Sequence, residues 1–205
     1  MAPSLIGQRA FIYKVLKTIH PDTGISQAAM EEVQMLYFYI IDRIMQRATK
    51  VVRSRGVITI SARDVQLGVM LAFPGELRKH AVRTSSGAVE KFTMSRETPN
   101  ENKRMTQSGR AGLLLSVARV FNKMKDDSGL RVSPEAAVYL TAAAEYAISE
   151  ILELAGNASR DDKRARVMPR HLLLAIGNDI ELSKLFDTAV LDGGVLPNID
   201  ARLIK

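Results

Sequence analysis

The chain has 205 residues, 46% hydrophobic and 25% charged, enough apolar material for one ordinary domain or two small ones and too much for a disordered chain. It carries 29 basic and 22 acidic side chains, a net charge of +7 that points to an anionic partner, nucleic acid before membrane. It has no Cys and only His20, His80 and His171, far apart, which excludes disulfides, thiol catalysis and zinc fingers and argues against a metal site or a catalytic triad.

Residues 11–19 are apolar at helical period and predict a short helix, which His20-Pro21-Asp22-Thr23-Gly24 ends. Ser26 has the chemistry of an N-cap, its hydroxyl accepting from a free amide of the next turn. Ala29, Val33, Leu36, Ile40, Ile44, Ala48 and Val51 then recur every three or four residues. They predict a helix of about 28 residues, or about 42 Å at 1.5 Å per residue. Met30, Met35, Phe38 and Ile41 add apolar surface on other sides, so its middle is expected to be buried nearly all round. Gly56 ends it; Val57-Ile58-Thr59-Ile60 is compatible with a short strand. Ser61-Ala62-Arg63-Asp64 resembles a capping box opening a third helix that reaches Leu71.

Residues 95–108 are polar, include Pro99 and have no apolar period, and are read as a linker between domains at 1–94 and 109–205. Residues 112–125 predict a helix, broken by Asp126-Asp127-Ser128-Gly129. Ser133-Pro134-Glu135 is a helix start, and Ala136, Leu140, Ala143, Ala147, Ile151 and Ala155 form a second long stripe, with Gly156 and Asn157 near its end. Pro169 opens a short helix over 170–178. The charge is uneven: residues 1–95 hold 13 basic and 7 acidic side chains, residues 108–205 hold 13 of each.

The two halves repeat. Ser26 and Ser133 lie 107 positions apart, as do Ala29 and Ala136, Val33 and Leu140, Ile44 and Ile151, Ile60 and Val167, and Arg63 and Arg170. A short–long–short helical unit cannot cover a long helix that is apolar on most sides. Two such units in one chain predict two long helices crossing, each clasped by the other's short helices.

Specific stretches carry a family resemblance. Tyr13-Lys14-Val15-Leu16-Lys17 with His20-Pro21-Asp22-Thr23-Gly24-Ile25-Ser26 is similar to the first helix and loop of core histone 2B, and Pro74-Gly75-Glu76-Leu77 with Lys79-His80-Ala81-Val82 to the start of its C-terminal helix. Arg110-Ala111-Gly112-Leu113, Glu150-Ile151-Leu152-Glu153-Leu154-Ala155-Gly156-Asn157 and Pro169-Arg170-His171-Leu172 are similar to core histone 2A. So is Gly193-Gly194-Val195-Leu196-Pro197-Asn198-Ile199, the segment by which that histone docks on the 3–4 tetramer. Over residues 9–94 and 109–205 the chain resembles a fused 2B–2A histone doublet of the kind found in large DNA viruses such as the marseilleviruses.

The resemblance implies an all-α chain, two histone folds forming an intramolecular handshake pseudo-heterodimer. It implies a structural chromatin protein that pairs with a 3–4 counterpart, itself a doublet, in an octamer-like assembly of two copies of each. That assembly would wrap double-stranded DNA without sequence specificity. Core histones are the standard example of binding by phosphate contact and duplex deformability. The implied setting is the virion and viral factory, or the chromatin of the infected host. Neither catalysis, a cofactor, a metal nor a membrane span is expected.

The handshake would place loop 1 of each half beside loop 2 of the other. One DNA edge is then expected from Arg131 with Arg53, Arg55 and Thr59, the other from backbone near Ile25 and Ser26 with Arg164 and Arg166. Arg110 and Arg119 match further basic positions of the family, and Arg131 and Arg166 are the expected minor-groove fingers. Arg63 and Arg170 follow helix caps and read either as surface charges or as buried partners. Glu145, Glu150, Glu153, Asp179 and Glu181, with Glu76 from the first half, match the family's acidic patch for basic peptides.

The sequence also departs from the family. Thr84 and Ile180 stand where acids are usual, predicting a weaker patch. No basic residue directly precedes Ile58, so whether Arg55 reaches the groove is open. Lys-rich tails are absent, predicting looser wrapping at physiological salt. Three other readings carry less. His20-Pro21-Asp22 resembles a J-domain signature, but the long helix after it has no place in that fold. A histone-fold transcription-factor pair would need a base-reading element that the chain lacks. A histone-binding decoy does not explain the basic loops. The paired carboxylates Asp126-Asp127 and Asp161-Asp162 read as loop residues without a His nearby.

Overall fold

In the computed structural model, which describes residues 8–97 and 105–186, two-residue strands flank each of the two long helices in a chain that is otherwise helical. The first half comprises α1 (Arg9–Ile19), β1 (Gly24–Ile25), α2 (Gln27–Ser54), β2 (Thr59–Ile60), α3 (Ala62–Ala72) and α4 (Gly75–Glu97). The second comprises α5 (Gln107–Ala111), α6 (Val117–Ser128), β3 (Arg131–Val132), α7 (Pro134–Asp161), β4 (Arg166–Val167), α8 (Pro169–Asn178) and α9 (Ile180–Leu185).

The repeat is visible in the caps. Ser26 Oγ accepts from the Ala29 amide at 3.2 Å, and Ser133 Oγ from the Ala136 amide at 3.1 Å. Both long helices are 28 residues long. β1, at the start of α2, pairs in parallel with β4, at the end of α7, with Gly24 opposite Arg166. β2, at the end of α2, pairs in parallel with β3, at the start of α7, with Thr59 opposite Arg131. The long helices therefore run antiparallel, and a small ladder closes each end of the pair. α1 and α3 pack on α7 and α8 packs on α2, so each half clasps the other's long helix.

Packing explains the apolar excess in both long helices. Ala136, Ala137, Ala142, Ala143, Ala144 and Ala147 of α7 are fully buried, as are Tyr37, Ile40, Ile41 and Ile44 of α2. Small side chains on one helix admit large ones from the other. Polar contacts also join the halves. Lys123 of α6 is almost buried and holds Asp42 of α2 at 2.9 Å and its own Asp127 at 2.7 Å. Burial opposes its charge, but the two carboxylates outweigh burial and raise its pKa.

Several boundaries differ from the sequence reading. The helix expected over 112–125 begins at Val117, and a separate short helix, α5, precedes it. Gly112 is the reason: at φ +70° it ends α5, and its amide closes back on Gly109 and Ser108. Asp126, Asp127 and Ser128, read as a break, are the last turn of α6, and Gly129 ends it. α7 runs beyond Gly156 and Asn157 to Asp161. Gly156 is a contact, not a stop: a Cβ there would lie 2.1 Å from the His20 ring, whose Nε2 sits 3.0 Å from the Glu153 carbonyl. α4 continues to Glu97 and α5 starts at Gln107, so both ends of the segment read as a linker are helical. Buried Phe92 and an Arg96–Glu135 ion pair of 2.6 Å tie the last turns of α4 to α7.

Candidate nucleic-acid interface

The two ladders form two basic edges. At the β2–β3 edge, the Arg131 amide donates to the Ile58 carbonyl at 2.9 Å and the Ser133 amide to the Ile60 carbonyl at 3.0 Å. Arg131 and Thr59 are exposed side by side on the paired strands. Arg53 reaches across from α2 to the Ser128 carbonyl, at the end of α6, at 3.5 Å. Arg55 is drawn the other way. It pairs with Asp64, whose carboxylate is fully buried and also accepts from the Ser61 amide at 2.9 Å and the Ser61 hydroxyl at 2.7 Å. Arg55 thus braces the start of α3 through Asp64 while its side chain stays partly exposed. Arg63 stays exposed; the buried member of this capping box is its neighbour Asp64.

At the β1–β4 edge, the Gly24 amide donates to the Ala165 carbonyl at 2.8 Å and the Ser26 amide to the Val167 carbonyl at 2.9 Å. The Ser26 amide is therefore engaged by the ladder, at the positive end of α2. Arg164 and Arg166 are exposed here, and Ser159 holds the loop by donating to both of their carbonyls at 2.9 and 3.0 Å. A groove of about 610 Å³ runs past Arg164, Arg166, Met168 and Arg170. Arg170 is exposed and lies 3.3 Å from Asp162. His171 is buried; its Nδ1 accepts from the Met168 amide at 3.0 Å, so Nε2 carries the proton that faces Asp162 at 3.1 Å. Two expectations are thereby corrected. Asp162 caps α7 beside a His, and Asp126 and Asp127 lie in a helix.

Among the described residues, the guanidinium groups of Arg131, Arg164 and Arg166 have no acid or carbonyl partner, unlike those of Arg53 and Arg55. Arg110 is half-buried in α5, and Arg119 of α6 lies 5.6 Å from the centre of the Phe11 ring of α1, a contact between the halves.

The acidic residues divide by their partners. Glu145 is drawn inward and accepts from the Leu114 and Leu115 amides at 2.9 and 2.7 Å, holding the turn before α6. Glu181 accepts from the Glu76 and Leu77 amides, both at 2.6 Å, and so caps α4 from the other half. Gly75 makes this cap possible: it sits at φ +39°, and a Cβ there would stand 1.8 Å from the Glu181 carboxylate. Asp179 caps α9 through the Glu181 and Leu182 amides. Glu76 pairs with Lys79 at 2.6 Å, which holds its carboxyl below the ordinary range. Glu76, Glu150, Asp179 and Glu181 nonetheless rim one cleft of about 330 Å³, floored by Leu77, His80 and Tyr146. His80 stacks on Tyr146 at 6.1 Å. Burial, then Glu150, Glu181 and Glu153, push the Tyr146 pKa upward. Glu153 is exposed on α7, Thr84 is exposed on α4, and Ile180 stands 71% exposed beside Asp179 and Glu181. Glu145, bound to the turn before α6, does not line this cleft. The floor residues and the Glu181 cap were not picked out from sequence. The segment 193–199 lies outside the described residues.

Burial raises the Glu145 pKa above its ordinary 4.5 despite the two amide bonds. Folding therefore takes up a proton at this site, and its ionisation lowers stability as pH rises from the unfolded value through the folded one. Glu145→Gln keeps an acceptor without a charge and should flatten that part of the stability–pH curve at little cost at neutral pH. Glu145→Ala, which leaves two amides without an acceptor, should cost about 2 kcal/mol. Urea unfolding across pH 4 to 8 reads both outcomes.

Among the described residues no group of His, Asp and Glu could hold a metal ion, and no helix is long and apolar enough to cross a membrane.

Residues 4–71 and 91–177 match the core histone H2A/H2B/H3/H4 domain. The chain is 49% identical over 105 residues to histone H2A.1 of Tetrahymena pyriformis, covering 50% of this chain and 79% of that protein. It is 50% identical over 105 residues to histone H2AX of Tetrahymena thermophila, covering 50% and 76%. With histone H2A.1 of Candida albicans it shares 49% identity over 107 residues, covering 51% and 81%.

Proposed function

Because the chain belongs to the core histone family, and carries that domain twice, we propose that it is a structural chromatin protein that supplies both members of a 2B–2A pair in one polypeptide. Histones bind DNA and pair with other core histones, and the family is non-enzymatic. In this reading the chain packs with a 3–4 counterpart, itself a doublet, into an octamer-like particle holding two copies of each. The particle wraps duplex DNA without sequence preference. Its setting is a viral particle and factory, or the chromatin of an infected host, as in the marseillevirus-type doublets that the sequence resembles.

The observation that carries the reading is the pair of loop ladders at opposite ends of the long helices. Each presents unpartnered guanidinium groups, Arg131 at one and Arg164 and Arg166 at the other. A duplex laid along such a rod meets cations at intervals on one strand face, a pattern that fits phosphates and not base edges. The exposed Leu67, Met70 and Leu71 on α3 support assembly with another histone fold, since a free subunit leaves such a face uncovered.

Particles reconstituted from this chain, a 3–4 partner and mixed-sequence DNA should protect a discrete length from nuclease. Digestion to a smear at low salt with partner present would overturn the reading.

A further inference from the structure

The internal repeat makes the two edges comparable position by position, and they differ in chemistry. Before and within β4 the chain reads Arg164-Ala165-Arg166; 107 positions earlier it reads Val57-Ile58-Thr59. One edge carries two arginines where the other carries a valine and a threonine, with Ile58 between them.

Val57 is 43% exposed and Ile58 is 61% exposed. The backbone holds them there. Gly56, at φ +67°, turns the chain out of α2, and the Ile58 carbonyl is fixed by the Arg131 amide. Both side chains are β-branched and stiff. The outcome is a stiff apolar tip on a tight turn, four residues after Arg53 and next to Thr59, whose strand partner is the exposed Arg131. An uncovered apolar pair is unfavourable in water, so it calls for an occupant with two properties. The occupant must offer an apolar slot, and it must carry negative charge beside that slot for the exposed Arg131 of the paired strand. The minor groove of a duplex has both: sugar walls and base steps within, phosphates along each rim. Apolar wedges from other DNA-bending proteins enter there and unstack base steps.

We propose that Val57 and Ile58 form an apolar wedge that enters the minor groove of duplex DNA at the β2–β3 edge, while the β1–β4 edge binds through phosphate charge. The proposal rests on the DNA-packaging reading and adds to it a second mode of contact. Burial of the wedge contributes free energy that salt does not screen, whereas the Arg164–Arg166 contribution falls as salt rises. A protein partner on the same tip is the competing occupant, and charge complementarity favours the duplex.

The test uses the full chain and a duplex bearing a fluorescent purine analogue that brightens when unstacked. The double substitution Val57→Ser, Ile58→Ser lies at exposed positions, and thermal melting checks that the fold is kept. It should lower affinity about tenfold at every salt concentration, leave the log–log salt slope unchanged and abolish the brightening. The repeat swap Val57→Arg, Ile58→Ala, Thr59→Arg should steepen the slope by about two and also abolish the brightening. Wild-type affinity and brightening in the Ser variant would overturn the wedge. So would retained DNA affinity together with lost binding to a 3–4 histone partner, which would assign the tip to protein contact. A wild-type chain that binds no duplex at any salt would instead overturn the packaging reading itself.

Discussion

Replacing Arg131, Arg164 and Arg166 together by Ala should make the salt dependence of duplex binding shallower by about 2.7 in log–log slope, about 0.9 for each phosphate contact removed. Between 50 and 200 mM salt that difference amounts to about fortyfold in relative affinity. The expectation comes from partners, not from charge count. These three guanidinium groups are exposed at the loop ladders and have no acid or carbonyl partner among the described residues, so under the proposed function they are the groups free to meet phosphates. Arg55→Ala is the contrasting control. Its guanidinium is paired with Asp64, so its loss should alter the slope little and stability more. Equilibrium binding titrated across salt concentrations separates the two classes. An unchanged slope in the triple variant would place the phosphate contacts on other residues.

Asp64→Ala should destabilise the fold by about 3 kcal/mol, lowering Tm by roughly 6–12 °C for a chain of this length. The Asp64 carboxylate is fully buried and accepts from the Ser61 amide, the Ser61 hydroxyl and Arg55. Removing it leaves a helix-start amide unsatisfied and a guanidinium without its partner. The loss is not local to the cap. Val65 and Val69 of α3 are fully buried, and Gly68 packs so closely on α2 that a Cβ there would lie 2.8 Å from the Ile44 carbonyl. A looser α3 also loosens β2, so DNA affinity should fall although Asp64 meets no DNA. Asp64→Asn, which keeps an acceptor for the Ser61 amide, should cost less than half as much. Urea unfolding gives both values, and a change under 0.5 kcal/mol for the Ala variant would contradict this account of the α3 start.

Much of the fold was legible because its signals are local and repeated. Ser26 and Ser133 predict their helices through a hydroxyl that reaches one turn ahead, and the constant offset identifies the equivalent loop of the other half, while the crossing of the long helices pairs each loop with the non-equivalent one. Features hidden from sequence depend on long-range geometry. Gly156 has the composition of a helix end, yet it lies inside α7 because His20, from the other half, needs the space of its missing side chain. Glu145 sits on the same apparent acidic stripe as Glu150 and Glu153, yet its carboxylate turns inward to the amides before α6. Family resemblance names the basic positions without distinguishing a free arginine from a committed one. That distinction between Arg131 and Arg55 needed the position of Asp64. The contrast between Val57-Ile58-Thr59 and Arg164-Ala165-Arg166 was present in the sequence, but its meaning depends on knowing that both triplets end up at the tips of the same rod.

The ladders, the Glu181 cap on α4 and the Lys123–Asp42 pair all join elements that a two-chain histone pair would draw from separate polypeptides. Here they are intramolecular, so mass action does not act on them. A dimer of separate chains loses its partner on dilution, and its melting temperature rises with protein concentration. In this chain the two halves belong to one polypeptide, so each faces the other at a fixed effective concentration. Pairing is therefore insensitive to expression level, and the two folds are always supplied in equal amounts.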